Sequence, residues 1–332
     1  MRNNCRRGWL REYDYWWLIP LVLMALACDS TEKKDEKDLG VDRIEAPVFV
    51  PTFSQDSAYH FIADQVAFGP RVPNSPAHQA AAAYLATALE GYGAKVATQS
   101  FEAPGPGNTM MQLTNVIGSF KSAQKKRILL AAHWDSRFQA EKDLVEKDQP
   151  IDGANDGASG VGVLLEIARV ISDSLPAAGV DIIFFDGEDQ GKDGSGWCLG
   201  SEYWARNKHQ ANYSAYYGIL LDMVGAKNAS FYRDYTSQRY APSIVKKVWD
   251  QAHRLNHGRY FLYQDSKGAI TDDHIAVNEI AKIPMIDIID YDGSANNRFK
   301  DYHHTLADNI SVIDKETLKA VGETVLHVIY QE

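Results

Sequence analysis

Cysteine is scarce: three residues in 332, at positions 5, 28 and 198, cannot build a disulfide framework. A folded body of this length must then rest on a buried core, and it is long enough to form one. Positive charge is in deficit as well. Thirty-four Lys and Arg against 44 Asp and Glu leave a net charge of -10, which argues against a nucleic-acid partner, because phosphate binding needs a basic surface. The apolar run over 15–27 falls short of a comfortable membrane-spanning helix. Gly191, Gly194 and Gly196 lack the Gly-Lys-Ser/Thr ending of a phosphate-cradling loop. Ser136 and Ser201 stand in no nucleophile-elbow sequence. With 45% apolar and 23% charged residues, what remains is ordinary globular composition.

The amino-terminal segment carries a different message. Arg2, Arg6, Arg7 and Arg11 precede the apolar run, which stops at Ala25-Leu26-Ala27-Cys28 before polar Asp29 and Ser30. Small residues ahead of a cysteine resemble a bacterial lipoprotein signal, with Cys28 as the lipidated first residue; a plain signal peptide or an uncleaved anchor is the alternative, and each exports the body. Residues 30–45 are dominated by Lys, Asp and Glu; such a stretch cannot bury enough surface to offset its ordering entropy. The expected organisation is an export signal over 1–28, a flexible charged tether over 29–46 and one folded domain over 47–332. The expected location is periplasmic, with the body tethered to a membrane by lipid. Cys198, beside Trp197, reads as a small, partly buried thiol.

Within the folded body, apolar strands alternate with helices, the pattern of an α/β fold. Ser75-Pro76 opens an Ala-rich helix to about residue 92, with Ser as cap and Pro as first helical residue. Strands are expected over 96–101, 115–120, 127–132, 180–185, 217–221 and 283–289, a helix after the glycines of 153–162, and a last helix capped by Asp314. His133, Glu188, Asp189 and Asp222 all stand at or just past the carboxyl end of one of these strands. In open α/β sheets ligand sites form along that edge.

Taken singly, the chemical residues are ambiguous. Asp156, in Gly153-Ala154-Asn155-Asp156-Gly157-Ala158-Ser159-Gly160, reads equally well as the cap of the next helix. Glu188-Asp189 suits a solvated loop, and His303-His304 an exposed polar pair. Together, two carboxylates and an imidazole from loops far apart in sequence can form a three-ligand metal site with an open fourth position, as a catalytic zinc requires. Of two adjacent carboxylates, one can bind metal while its neighbour serves as general acid/base.

His133-Trp134-Asp135-Ser136-Arg137, the Gly153 loop, Phe184-Phe185-Asp186-Gly187-Glu188-Asp189, Leu220-Leu221-Asp222-Met223-Val224-Gly225-Ala226, Asp272-Asp273-His274-Ile275 and His304-Thr305 occur in one order. This set resembles the animal-type glutaminyl cyclases and their zinc aminopeptidase relatives, from about Tyr59 to the carboxyl terminus. The resemblance implies a three-layer fold, a central mostly parallel mixed sheet flanked by helices, and makes 47–332 a single catalytic domain. It implies one zinc per chain held by Asp156, Asp189 and His304, with Glu188 as proton shuttle and Asp222 and Asp272 as supporting carboxylates. Asp189 stands where the family usually has Glu. Arg137, where the animal enzymes carry Lys, and Phe299, Trp197 and His303 fall at the substrate pocket, His303 in place of an expected Trp. The implied reaction converts an amino-terminal Gln of a peptide or protein to pyroglutamate with release of ammonia, by a chain expected to be a monomer. The aminopeptidase relatives bind two metals, with His133 and Asp222 as the further ligands. A third alternative, a binding ectodomain that has lost its metal, is disfavoured because the ligand positions are intact.

Overall fold

The computed structural model describes residues 48–192, 194–292 and 298–332; the expected export signal and tether lie outside the described residues. In chain order the strands are β1 (Lys95–Pro104), β2 (Met110–Phe120), β3 (Arg127–His133), β4 (Gly179–Phe185), β5 (Tyr217–Asp222), β6 (Phe231–Arg233), β7 (Phe261–Asp265) and β8 (Met285–Ile289). Six of them form one sheet in the order β1-β2-β4-β3-β5-β8. The four central and far strands run parallel, while β1 and β2 add an antiparallel edge. β6 and β7 pair separately.

Every residue of β3, β4 and β5 is buried, as strands covered on both faces must be. Their side chains alternate between two cores. Ile128, Leu130, Val180, Ile182 and Leu221 face a large core beneath α1 (Gln55–Ala67), α2 (Pro76–Gly91) and α3 (Ala158–Asp173). Leu129, Ala131, Ile183 and Leu220 face a smaller one beneath α4 (Leu199–Arg206). The remaining helices are α5 (Tyr235–Tyr240), α6 (Pro242–Arg254), α7 (Asp273–Ala276) and α8 (Lys315–Tyr330). The three-layer arrangement with a mostly parallel mixed sheet is the one expected. Among the described residues no helix is long and apolar enough to cross a membrane.

Several boundaries differ from the expectation for physical reasons. β1 and β2 reach Lys95–Pro104 and Met110–Phe120 rather than 96–101 and 115–120, because their added ends alternate exposed Glu102 and Gln112 with buried Ala103, Met111 and Leu113, a weaker apolar signal than a fully buried run. β8 starts at Met285, after Pro284, whose missing N–H cannot enter a ladder. α3 begins at Ala158, so Gly160 and Gly162 lie inside it. A Cβ on Gly160 would meet the Leu221 carbonyl oxygen at 2.1 Å, and one on Gly162 would meet Ile62 at 2.5 Å. Both glycines let the helix lie flush on its neighbours. Ser75 caps α2 and Asp314 caps α8 as expected, accepting from the backbone N–H groups of His78 and Glu316.

Candidate metal centre

The parallel strands deliver their polar residues to one edge. β3 ends on His133, β4 leads through Asp186 and Gly187 to Glu188 and Asp189, and β5 ends on Asp222. The loop before α3 adds Asp156 and the loop before α8 adds His304. Asp156 does not cap α3; Gly157 occupies that position, with φ 97° and no side-chain cap. Its carboxylate is turned to the histidines instead. Oδ1 lies 3.1 Å from His133 Nε2, and Oδ2 lies 3.7 Å from His304 Nε2. His304 Nε2 is also 3.2 Å from Asp189 Oδ1, and His133 Nε2 is 3.1 Å from Asp222 Oδ1. His303 Nε2 stands 3.7 Å from Asp156 Oδ2, so that histidine joins the same group.

Sequence reasoning missed the residues that hold these side chains. Glu141 accepts from His304 Nδ1 at 2.6 Å and from Arg137 Nε at 2.7 Å. This fixes the imidazole with Nε2 facing Asp156 and Asp189, the usual carboxylate–histidine support of a metal ligand. Asp135 accepts the backbone N–H groups of Glu188 and Asp189, each at 3.1 Å, and Gln190 Nε2 at 2.8 Å. Arg71, fully buried, donates to the carbonyls of Trp134, Asp152 and Gly153 and so braces the loop that carries Asp156. Burial pulls its guanidinium down to about 10, against the upward pull of Asp135. Asp308 accepts the backbone N–H groups of Asn155 and Asp156 at 2.8 and 3.0 Å. Glu141, Arg71 and Asp308 sit in no periodic or strand-end pattern that would have marked them; Asp135 does, two residues past the end of β3, and only its role was unread.

Arg137 is placed differently from the expectation of substrate contact. It is not among the lining residues of the cavity; Nη1 donates to the carbonyl and Oδ1 of Asp189 at 3.0 and 3.2 Å. A guanidinium bonded to both Asp189 and Glu141 is a strut. The other residues proposed from sequence, Asp156, Glu188, Asp189, Asp222, Asp272, Trp197, Phe299, His303 and His304, line one cavity of about 520 Å³. His133 is buried behind it. One wall is a column of parallel rings. Phe299 stacks on His303 (3.9 Å between centroids), His303 on His304 (3.7 Å) and His304 on Trp197 (6.3 Å). Lys142 Nζ bonds His303 Nδ1 at 2.5 Å, and the Arg137 guanidinium lies 4.7 Å over Trp197. Gly191 permits this, since a Cβ there would fall 2.1 Å from the Trp197 ring.

Cys198, expected to be a partly buried thiol, is 5% exposed and reaches Glu188 Oε1 at 3.3 Å. Cys198, Met223 and His304 have φ of 54°, 49° and 58°. Left-handed backbone at residues with a Cβ is costly.

Burial dominates the electrostatics. It pushes Glu188 well above the ordinary carboxyl range, with Asp272 and Asp189 adding to the rise against the opposing pull of His133. It raises Asp222 to about 7. For Asp156, burial is outweighed by the bond from His133, and the carboxyl lies well below its usual value. One cavity thus holds an ionised carboxylate beside others that resist ionisation.

The donor set fits zinc. Asp189 Oδ2 is buried without a hydrogen-bond partner among the described residues, and His304 Nε2 is aimed at both carboxylates by Glu141. Two carboxylates and one imidazole leave a fourth position open.

The sheet edge and its acid-rich pocket define a metal-dependent enzyme of the zinc exopeptidase kind. Residues 115–329 match the Peptidase family M28, and the chain belongs to that family. A Zn-dependent exopeptidase from Parabacteroides distasonis is 50% identical, with a TM-score of 0.84, covering 86% of this chain and 100% of that one. Tannerella forsythia glutaminyl cyclase is 49% identical, with a TM-score of 0.83 over 85% of this chain and 100% of that one. The Bos taurus glutaminyl-peptide cyclotransferase-like protein is 26% identical over 234 residues, 62% of this chain and 59% of that protein. The match thus spans about three fifths of the first curated relatives.

Proposed function

We propose that the chain is a zinc-dependent glutaminyl-peptide cyclotransferase acting on peptides or proteins with an amino-terminal Gln. The observation that carries this reading is the convergence of Asp156, Asp189 and His304 beside Glu188 in one cavity, walled by the Phe299–His303–His304–Trp197 column. It is supported by the likeness to a glutaminyl cyclase over that protein's whole length.

The chemistry supplied at Asp156, Asp189 and His304 by a bound zinc ion is Lewis-acid polarisation of the substrate's side-chain amide. The residues of the chain account for the proton. The α-amine nitrogen attacks the amide carbon, a ring C–N bond forms, and the original amide C–N bond breaks. Glu188 accepts the proton that the amine loses and returns it to the departing nitrogen, so ammonia leaves and the carboxylate is regenerated. A carboxyl raised by burial is suited to both halves of that transfer. Asp222 and Asp272 line the same cavity and accept hydrogen bonds from the reacting N–H groups. Trp197 and Phe299 cover the ring as it forms and keep water from the amide, so that cyclisation outruns hydrolysis.

A metallo-aminopeptidase is the second reading. His133, Asp156 and Asp222 offer ligand atoms within 4.8 Å of one another, a place for a second metal. Incubating the purified chain with a Gln-capped and a Leu-capped peptide, with and without a chelator, separates the two. The expected result is ammonia from the Gln peptide alone, one zinc per chain, and loss of activity on chelation that added zinc reverses. Free leucine from a protein carrying two metals would establish the aminopeptidase.

The arginine-flanked apolar run and Cys28 support export and lipid tethering to a membrane facing the periplasm. A chain without nucleic-acid partners agrees with the net charge of -10.

A further inference from the structure

Glu188 must present one carboxylate oxygen to the substrate, yet its backbone alone does not set its rotamer. Its own N–H is bonded to Asp135 Oδ1, which places the Cα and leaves the side chain to turn. Among the described residues the only donor to the carboxylate is the Cys198 thiol, 3.3 Å from Oε1. We propose that Cys198 is a positioning residue, whose S–H holds Oε1 so that Oε2 is the oxygen that faces the cavity and exchanges the proton. The inference rests on the reading of Glu188 as proton carrier.

Two further observations support it. Cys198 N donates to the Glu188 carbonyl at 3.0 Å, and Leu199 N donates to the Gly187 carbonyl at 3.1 Å. The intervening loop is therefore closed on itself, and one residue grips Glu188 at its carbonyl and its carboxylate. Cys198 also stands at φ 54°, where glycine would be unstrained. Glycine would keep the backbone bond and relieve the strain, but it would remove the thiol. A side chain kept at a conformational cost, buried and bonded to a reacting group, is best explained by that bond.

The test compares Cys198→Ala, Cys198→Ser and Cys198→Gly with the wild type on Gln-capped and Leu-capped peptides, with zinc content and Tm measured for each. Losing one hydrogen bond to the proton carrier predicts a fall in kcat of about 10-fold for the Ala variant, with KM within about twofold. Serine, an O–H in place of the S–H, restores kcat to within about threefold of the wild type. The Gly variant has a Tm no lower than the Ala variant and is as slow, which separates the thiol's role from stability. Zinc per chain stays unchanged throughout. An Ala variant within twofold of the wild-type kcat overturns the proposal, and so does a Ser variant no faster than Ala. The peptide that the wild type turns over carries the comparison. Leucine release in place of ammonia would therefore overturn the cyclase reading, while the Ala-to-Ser ratio still judges the thiol.

Discussion

At the amino ends of β3 and β4 the sheet buries Arg127 with Asp181, and past their carboxyl ends it buries Asp156, Asp189 and Glu188 with His133 and His304. The first group is saturated. Asp181 Oδ1 accepts from Ser119 and Arg127, and Oδ2 from Arg127 and Tyr213, all within 2.8 Å. The second group is not. Asp189 Oδ2 and Asp272 Oδ2 are buried with no partner among the described residues, and Asp156 is shared between histidines on two sides. Buried charge whose every lone pair is taken is structural. Buried charge with lone pairs left over is waiting for something the chain does not supply.

Three substitutions break or sharpen this contrast. Glu188→Gln at the open end should lower kcat by about 10³-fold, measured as ammonia release, while zinc content is kept. Its Tm should equal or exceed that of the wild type, because a carboxyl that burial already disfavours in its charged form has been made neutral. At the saturated end the effects are reversed. Arg127→Met leaves Asp181 without its cation and should cost about 3 kcal/mol in denaturant unfolding. The kcat of the fraction that stays folded should not change, and a fall in kcat that outstrips the loss of folded protein would show that the two ends are coupled. The smallest effect is expected between these extremes. Glu141→Gln weakens the support of His304, and zinc affinity should fall about 10- to 100-fold in competition with a chelator. With zinc in excess, most of the activity should return.

The legible part of the site was the part attached to regular structure. His133, Asp189 and Asp222 could be read because each ends or follows a strand whose carboxyl half is apolar, and a break in such a run marks the sheet edge. Asp156 was read from its Gly-rich loop, and only its company resolved it from a helix cap. Glu141, Asp308 and Arg71 could not be read. Each comes from an irregular segment and meets the site across 152 residues or more, or through carbonyl oxygens that any sequence supplies. For Arg137 the motif carries the neighbourhood of the side chain but not its direction. The structure spends its donors on Asp189 and Glu141. The fold followed from alternation and capping, and the errors fell on boundaries, where exposed edge residues and buried glycines carry weak patterns.

The close approach at Gly160 has a consequence for how such a site can change. With the Leu221 carbonyl 2.1 Å from where a Cβ would stand, the start of α3 is pressed against the end of β5. The interval between the Asp156 loop and Asp222 is therefore set by a missing atom. A single added methyl would wedge the two apart, so the frame has no small adjustments available to it. New specificities on this scaffold must come from its loops, such as those bearing Lys142, Trp197 and Phe299, while the spacing beneath them stays as it is.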